Sequence, residues 1–317
     1  MKWLREISTQ YIPGVEFDGE SVNYQSYNSS WDEDYFTILP LTDGRLTIRA
    51  YDTGSRVITG TTVSPQNDIT VDYRPKSTDS TSTWTSLLFN NEQGLGGISI
   101  FSGYVTKNIT LTAGVPVELR CSTGLARVII SSLEGPTIYP GRIITNCPAI
   151  IMGQLESLAV GGISTSGTPG DLINDPAHTV PWTSYFSGLR ELFKGWTTLI
   201  DASNLRMPDQ FNSASANPDF TGLFSGCSNL ISSPIINAGG IYTRCFEDCV
   251  SLRSVYANLS SSAGVSYTLT DWLEGTHTGN RIIYVPDTLD VNYDLCLPVD
   301  PSNPLGTKSW TREIFEF

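Results

Sequence analysis

LFSGCSNL (residues 223–230) and CFEDCVSL (residues 245–252) decide how this chain is read. Phe224, Cys227 and Leu230 hold the same relative places in the first stretch as Phe246, Cys249 and Leu252 in the second, 22 residues on. The same text returns, altered, in ELFKGWTTL (191–199) and in DWLEGTHTG (271–279). Apolar anchors fall at Phe193, Phe224, Phe246 and Leu273, spaced 31, 22 and 27 residues apart. Three residues after each anchor come Trp196, Cys227, Cys249 and Thr276, and three further on come Leu199, Leu230, Leu252 and Gly279. That is a repeat of about 22 residues with insertions, within the period range of stacked-repeat proteins.

The spacing predicts one helical turn per unit, which sends positions i and i+3 to the same side. A short strand follows each turn (LIDASNL, LISSPII, LRSVYAN, RIIYVP) and stacks on its neighbour. A single unit cannot bury its own apolar face, so adjacent units bury it for each other. Cysteine suits an inward slot because it is small, apolar and commonly buried. The first unit has Trp196 in that slot, and packing can exchange tryptophan for cysteine whereas chemistry cannot. Cys245 takes the slot of Leu192, Leu223 and Trp272, again an apolar series. The cysteines are therefore read as packing rungs, not as redox or metal groups.

Upstream, residues 21–135 read as strands. YFTILPL, GRLTIRAY, SRVITG, DITVDYRP, TWTSLLF, GISIFSGY, NITLTAG, PVELRC and ARVIISS are rich in β-branched and aromatic residues, and most are bounded by Gly, Pro, Asp or Asn. About nine strands at this spacing predict an antiparallel β-sandwich. GRLTIRAY alternates Leu46, Ile48 and Ala50 with Arg45, Thr47 and Arg49, so one sheet face is expected to meet water. The expected organisation is an extended N-terminal anchor (1–20), the sandwich (21–135), a transition and loop (136–184), the repeats (185–290) and a C-terminal tail (291–317). The fold class is thus mainly β, an antiparallel sandwich followed by a short irregular solenoid.

Bulk properties narrow the function. The chain has 317 residues and a net charge of −13, with 19 Lys and Arg against 32 Asp and Glu. Nucleic-acid backbones demand clustered cations, and no basic run is present. No window approaches the roughly 18 uninterrupted apolar residues of a membrane-spanning helix. The N-terminal text has no apolar stretch typical of a secretory signal, so the chain is expected to be made and kept in a cytoplasm or to leave by a route other than general export. The six cysteines form no CxxC pair and only His178 and His277 could supplement them, which disfavours zinc. The acidic cluster in WDEDYF (31–36) lacks the spacing of a calcium loop. GGISTSGTPG (161–170) does not form a phosphate loop. No nucleophile motif or metallohydrolase motif occurs, so no catalytic residue, metal or cofactor is assigned.

FSGCSNL and FEDCVSL resemble the units of BspA-like leucine-rich repeats, which run aromatic, two variable residues, Cys, two variable residues, Leu, then a short strand. ELFKGWTTL fits with Trp for Cys, and WLEGTHTGNRIIYVP resembles the degenerate closing unit of such arrays. The resemblance covers about residues 185–290. The upstream markers Asp43-Gly44, Trp84-Thr85 and Ala113-Gly114 resemble the small β-sandwich that precedes such repeats in proteins of gut Bacteroidales and of their crAss-like phages. The resemblance implies a non-enzymatic virion protein, a capsid-attached fibre or decoration or a tail-associated part. Its implied partners are other virion proteins, further copies of itself as a homo-oligomer, and a bacterial surface glycan or protein. Neither nucleic acid nor membrane insertion is expected. The alternative is a bacterial surface adhesin or carbohydrate-binding module.

Two groups of residues are then candidates for contact with partners. Tyr242 and Tyr256 lie outside the anchor slots and are candidates for a surface on which rings stack on sugars or dock a protein. Trp3, Leu4 and Ile7 near the start, and Trp310, Ile314, Phe315 and Phe317 near the end, are candidates for anchoring, because an extended segment can add to a partner's sheet.

Overall fold

The computed structural model describes residues 35–52, 57–58, 61–62, 69–76, 82–89, 103–121, 127–131, 135–139, 141–158, 189–207, 219–237, 240–259, 269–276, 281–290, 295–298 and 310–316. The strands are β1 (Phe36–Pro40), β2 (Gly44–Asp52), β3 (Val57–Ile58), β4 (Thr61–Thr62), β5 (Ile69–Pro75), β6 (Thr85–Phe89), β7 (Gly103–Leu111), β8 (Val117–Cys121) and β9 (Arg127–Ser131). They continue as β10 (Gly135–Tyr139), β11 (Arg142–Thr145), β12 (Ala149–Gln154), β13 (Leu199–Arg206), β14 (Ser232–Asn237), β15 (Ser254–Asn258), β16 (Ile282–Val285) and β17 (Thr311–Ile314). The described residues also include a short 3-10 segment, Leu155–Leu158.

Ten strands make one mixed sheet in the order β17-β16-β15-β14-β13-β12-β1-β8-β5-β6. β12 is where its character changes. It pairs antiparallel with β1, Ile38 opposite Ile151, and parallel with β13, Ala149 opposite Leu199. From β13 to β17 every pairing is parallel. β11, β2 and β7 form a separate antiparallel sheet, and β9–β10 and β3–β4 are two-stranded. Leu46, Ile48 and Ala50 of β2 are buried in the same core as Phe36 and Ile38 of β1. Residues Asp34–Phe317 form one compact unit.

Residues 136–184 are expected as a transition and loop, yet their described part carries most of β10, all of β11 and β12, and the 3-10 segment. β12 is buried along almost its whole length, so it reads as a continuous apolar run without alternation. The pair β11–β12 also follows the path of a repeat unit. The Ile143 amide donates to the Leu192 carbonyl at 2.9 Å, and the Ala149 amide donates to the Thr198 carbonyl at 3.1 Å. Ile143 and Ala149 thus take the places that an anchor and a closing Leu take in later units. No aromatic and no leucine flags them in the sequence.

The expected helical turn is not helical. Each repeat crosses between its strands through successive i to i+3 bonds, such as Trp196 N to Phe193 O, Cys227 N to Phe224 O and Cys249 N to Phe246 O. Two residues before each anchor the backbone is left-handed, at Glu191, Gly222, Arg244 and Asp271, with φ between 52° and 62°. Two residues after the anchor it is left-handed again, at Gly195, Gly226, Asp248 and Gly275. A right-handed helix cannot contain such residues. The i, i+3 spacing survives because a chain of tight turns also returns to the same side every three residues.

The turns form a ladder of their own. The Glu191, Phe193 and Gly195 amides donate to the Thr221, Leu223 and Ser225 carbonyls, and the next two steps repeat the pattern. Between this ladder and the parallel strands lies a column of rings. Phe36 stacks on Phe193 with centroids 5.4 Å apart, Phe193 meets Phe224 at 5.4 Å, and Phe224 stacks on Phe246 at 5.3 Å. Trp272 closes the column edge-on to Phe246 at 6.4 Å. Such pairs add to the burial of their area when offset or edge-on.

The upstream markers also meet. The Ala113 amide donates to the Asp43 carboxylate at 2.8 Å, so the Asp43-Gly44 and Ala113-Gly114 turns hold each other. Gly44 is required for space, since a Cβ there would sit 2.5 Å from the Cys147 sulfur. Trp84 lies under Arg74 and Arg120, at 4.4 and 4.3 Å, beside the buried Glu118, which is paired with Arg74 at 2.6 Å and Lys76 at 3.2 Å.

Phe224→Ala removes a ring with neighbours on both sides and is expected to cost about 3–5 kcal/mol. Val250→Ala, at a side chain 52% exposed, is expected to change stability by less than about 0.5 kcal/mol. Urea denaturation of the two variants checks the contrast, and equal effects would contradict the ring column.

Candidate functional site

The ten repeat residues, Phe193, Trp196, Leu199, Phe224, Cys227, Leu230, Phe246, Cys249, Leu252 and Leu273, are all buried. Their polar atoms are spent inside. The Cys227 thiol donates to the Phe193 carbonyl and the Cys249 thiol to the Phe224 carbonyl, each at 3.1 Å. Trp196 donates its indole N–H to the Thr145 hydroxyl at 2.9 Å, which joins the first unit to β11. Burial pushes the thiols of Cys227, Cys245 and Cys249 well above their ordinary value, so no thiolate is on offer. Among the described residues no group of His, Cys, Asp and Glu could hold a metal, and no helix is long and apolar enough to cross a membrane.

Tyr242 is not at a surface. Only 1% exposed, it stacks on Phe220 at 5.2 Å with its ring against Gly240, where a Cβ would lie 2.7 Å away. Four residues before each anchor stands Leu189, Phe220, Tyr242 or Leu269, all buried, so Tyr242 belongs to a fourth inward slot. Extending the repeat alignment by four residues would have found it.

Tyr256 has a different setting. It stacks face to face on Tyr284 at 4.7 Å, and Phe315 meets both rings edge-on at 5.4 and 5.6 Å. Its neighbours cover Tyr256 to 8% exposure, while Tyr284 and Phe315 remain half-buried. Tyr256 and Tyr284 are register partners in β15 and β16, and the shared aromatic of SVY and IIY was the sequence signal for Tyr284. Ile314 is 57% exposed on β17, the last strand of the sheet. An edge strand offers unpaired backbone groups to another chain. The aromatic trio and β17 thus form one surface at the end of the parallel ladder.

Trp310, expected as an anchor, is part of the core. It is 4% exposed, donates its indole N–H to the Thr276 hydroxyl at 3.1 Å and lies under the Arg281 guanidinium at 5.6 Å. The reason is the last slot: Thr276 is shorter than the Trp or Cys of earlier units, and Trp310 fills the space. Trp3, Leu4, Ile7 and Phe317 lie outside the described residues, as do His178 and His277.

Set against known protein families, curated proteins and solved structures, the chain matches none of them.

Two solution results follow from the thiols. Of the six cysteines, Cys296 is exposed and the other five are buried. A thiol reagent is therefore expected to modify one cysteine in the native protein and six after unfolding. A second fast thiol would contradict the packed ladder. Stability should also fall with alkalinity. Above about pH 9 the unfolded thiols lose protons that Cys227, Cys245 and Cys249 keep when folded, so the unfolded state binds fewer protons. Each contributes a loss of at most about 1.4 kcal/mol per pH unit. Urea midpoints between about pH 8 and pH 10, compared with those of Cys249→Ala, test the slope, which is expected to be shallower in the variant.

Proposed function

We propose that this protein is a non-enzymatic structural component of a phage virion, a capsid-attached fibre or decoration or a tail-associated protein. In this reading an antiparallel β-sandwich runs into a short, irregular leucine-rich repeat solenoid of the BspA-like kind. The observation that carries it is the continuity of the ten-stranded sheet and of the ring column from β1 and Phe36 to β17 and Trp272. Repeats joined in this way move with the sheet that bears them, which suits a protein that presents a recognition surface from a point of attachment. The motifs FSGCSNL and FEDCVSL and the paired Asp43-Gly44 and Ala113-Gly114 turns support the same reading.

Its partners are other virion proteins, further copies of the chain, and a bacterial surface glycan or protein. Weak single sites gain strength when many copies engage one cell, because each later contact is intramolecular. The exposed Ile314 on β17 and the half-buried Phe315 just after it give an edge on which assembly by strand addition can begin.

Mass spectrometry of gradient-purified particles from the phage encoding this chain, with light scattering of the isolated protein, tests the proposal. The protein is expected in the particles and as a discrete oligomer in solution. Absence from the particles, together with a monomer at high concentration, would overturn it.

A further inference from the structure

The outward face of the three-stranded sheet gathers three arginines, of which Arg142 alone has a carboxylate partner among the described residues, Glu191. On that face β2 and β11 hold Arg45, Arg49 and Arg142, in a chain whose net charge is −13, while Lys107 of β7 is the register partner of the buried Ile48 and belongs to the other face. Arg49 and Arg142 stand directly opposite each other in the β2–β11 register. Like charges facing across a strand pair repel, so the placement is unfavourable unless something bridges them.

Their local partners do not bridge them. The Arg49 guanidinium lies over the Tyr104 ring at 4.3 Å and makes no ion pair among the described residues. Arg142 approaches Glu191 at 3.7 Å, beyond hydrogen-bonding length, while Glu191 is held more closely by Lys194 at 3.0 Å. The Nε atoms of both arginines are buried and unmatched by any acceptor. A buried donor without an acceptor is costly, and Arg49 and Arg142 each carry one on facing residues, so the chain leaves both guanidinium groups incompletely bonded. Guanidinium forks match the planar geometry of a carboxylate, which can take two parallel N–H donors at once.

We propose that Arg49 and Arg142 form a binding site for the carboxylate of an acidic saccharide. The surroundings select a saccharide over a small ion. The site lies on an open sheet face, not in an enclosed cavity. Thr106 and Asn108 on β7 and Thr47 on β2 continue that face with hydroxyl and amide groups suited to sugar hydroxyls, and Thr47 already donates to Asn108 at 2.9 Å. Tyr104, 43% exposed, holds the Arg49 plane so that its N–H edges are fixed before a ligand arrives. Arg45, on the same face of β2 and exposed, extends the positive track in the strand direction, as a polymer with repeated carboxylates would use it. The site stands apart from the aromatic surface of β15–β17, and it holds whether or not the chain is a virion component.

The test is titration calorimetry of the full chain with tetragalacturonate, its fully methyl-esterified counterpart and inorganic phosphate. Tetragalacturonate is expected to bind, more weakly as salt is raised, and the ester and phosphate at least tenfold more weakly. Arg49→Gln and Arg142→Gln should each lower affinity at least tenfold. Arg49→Lys keeps the charge but loses the fork, and should lose most of the affinity while folding normally by circular dichroism. Arg244→Gln, on an exposed turn two repeat units beyond the one that β11 contacts, should bind as the parent does. Equal binding of acid and ester, equal binding of phosphate, or unchanged affinity in Arg49→Lys would overturn the proposal. So would a dimer that dissociates on Arg49→Gln and ignores tetragalacturonate, since the carboxylates would then come from a second copy.

Discussion

The stacking of Phe36 on Phe193, and of each later ring on the one before, is the interaction on which the rest of this structure depends. No repeat unit here is large enough to bury its own anchor. Phe193 is covered because Phe36 and Phe224 flank it, and Phe224 because Phe193 and Phe246 do. Stability in such an array is a sum of neighbour contacts, so its ends need closing. At one end the antiparallel strands supply Phe36 and the Thr145 hydroxyl that receives Trp196. At the other end Trp272 donates its indole N–H to the Leu295 carbonyl, Trp310 fills the slot over Thr276, and β17 adds a last parallel strand. The same column explains how one sheet can be antiparallel on one side and parallel on the other. The chain crosses the core once between β11 and β12, past the buried Cys147, as every later unit does, and β12 emerges running parallel to β13.

The turn ladder meets a stricter backbone requirement than the strands. Left-handed residues recur at fixed places, and three of the four that precede an anchor are not glycine. Glu191, Arg244 and Asp271 accept a conformation that costs an ordinary side chain roughly 1–2 kcal/mol, and the inter-unit amide bonds offset that cost. After the anchor the order reverses, with Gly at three units and Asp248 at the fourth. The exchange is coupled to its neighbour: a Cβ on Gly275 would collide with the Asp248 carboxylate, so a side chain at one level requires glycine at the next. An i, i+3 spacing alone does not reveal these angles, and it reads as helix because helices are the commoner source of the pattern.

What the sequence disclosed follows from which contacts are local. Phe224, Cys227 and Leu230 are legible because the repeat prints its inward slots again and again. Alternation in GRLTIRAY is legible because β2 has one wet face. β12 is not, since a strand buried on both faces loses its alternation, and its role emerges only from its two different partners. Tyr242 was misread because a lone tyrosine looks like a surface residue until it is aligned with Leu189, Phe220 and Leu269. Trp310 was misread because the space it fills is created 34 residues earlier, by a threonine where other units have a larger side chain. The arginine pair is also non-local. Arg49 and Arg142 meet only through the β2–β11 register, and nothing in either segment announces the other.

A fold of this kind constrains where recognition can occur. The anchor, cysteine-slot and leucine-slot side chains of the repeats are consumed by stacking, so those positions cannot also serve as a binding surface without losing the core. Contact with partners is left to side chains that point away from it. On the ten-stranded sheet and just beyond its last strand these are Tyr284 and Phe315, which pack over the buried Tyr256, with Ile314 at the edge. On the three-stranded sheet they are Arg49 and Arg142 with Arg45. The first group is aromatic and ends at an open strand edge, which fits contact between protein chains. The second is cationic and lies on the face of a separate three-stranded sheet, which fits an anionic ligand. Because the two belong to different sheets, one can engage an assembly partner while the other remains open to a ligand.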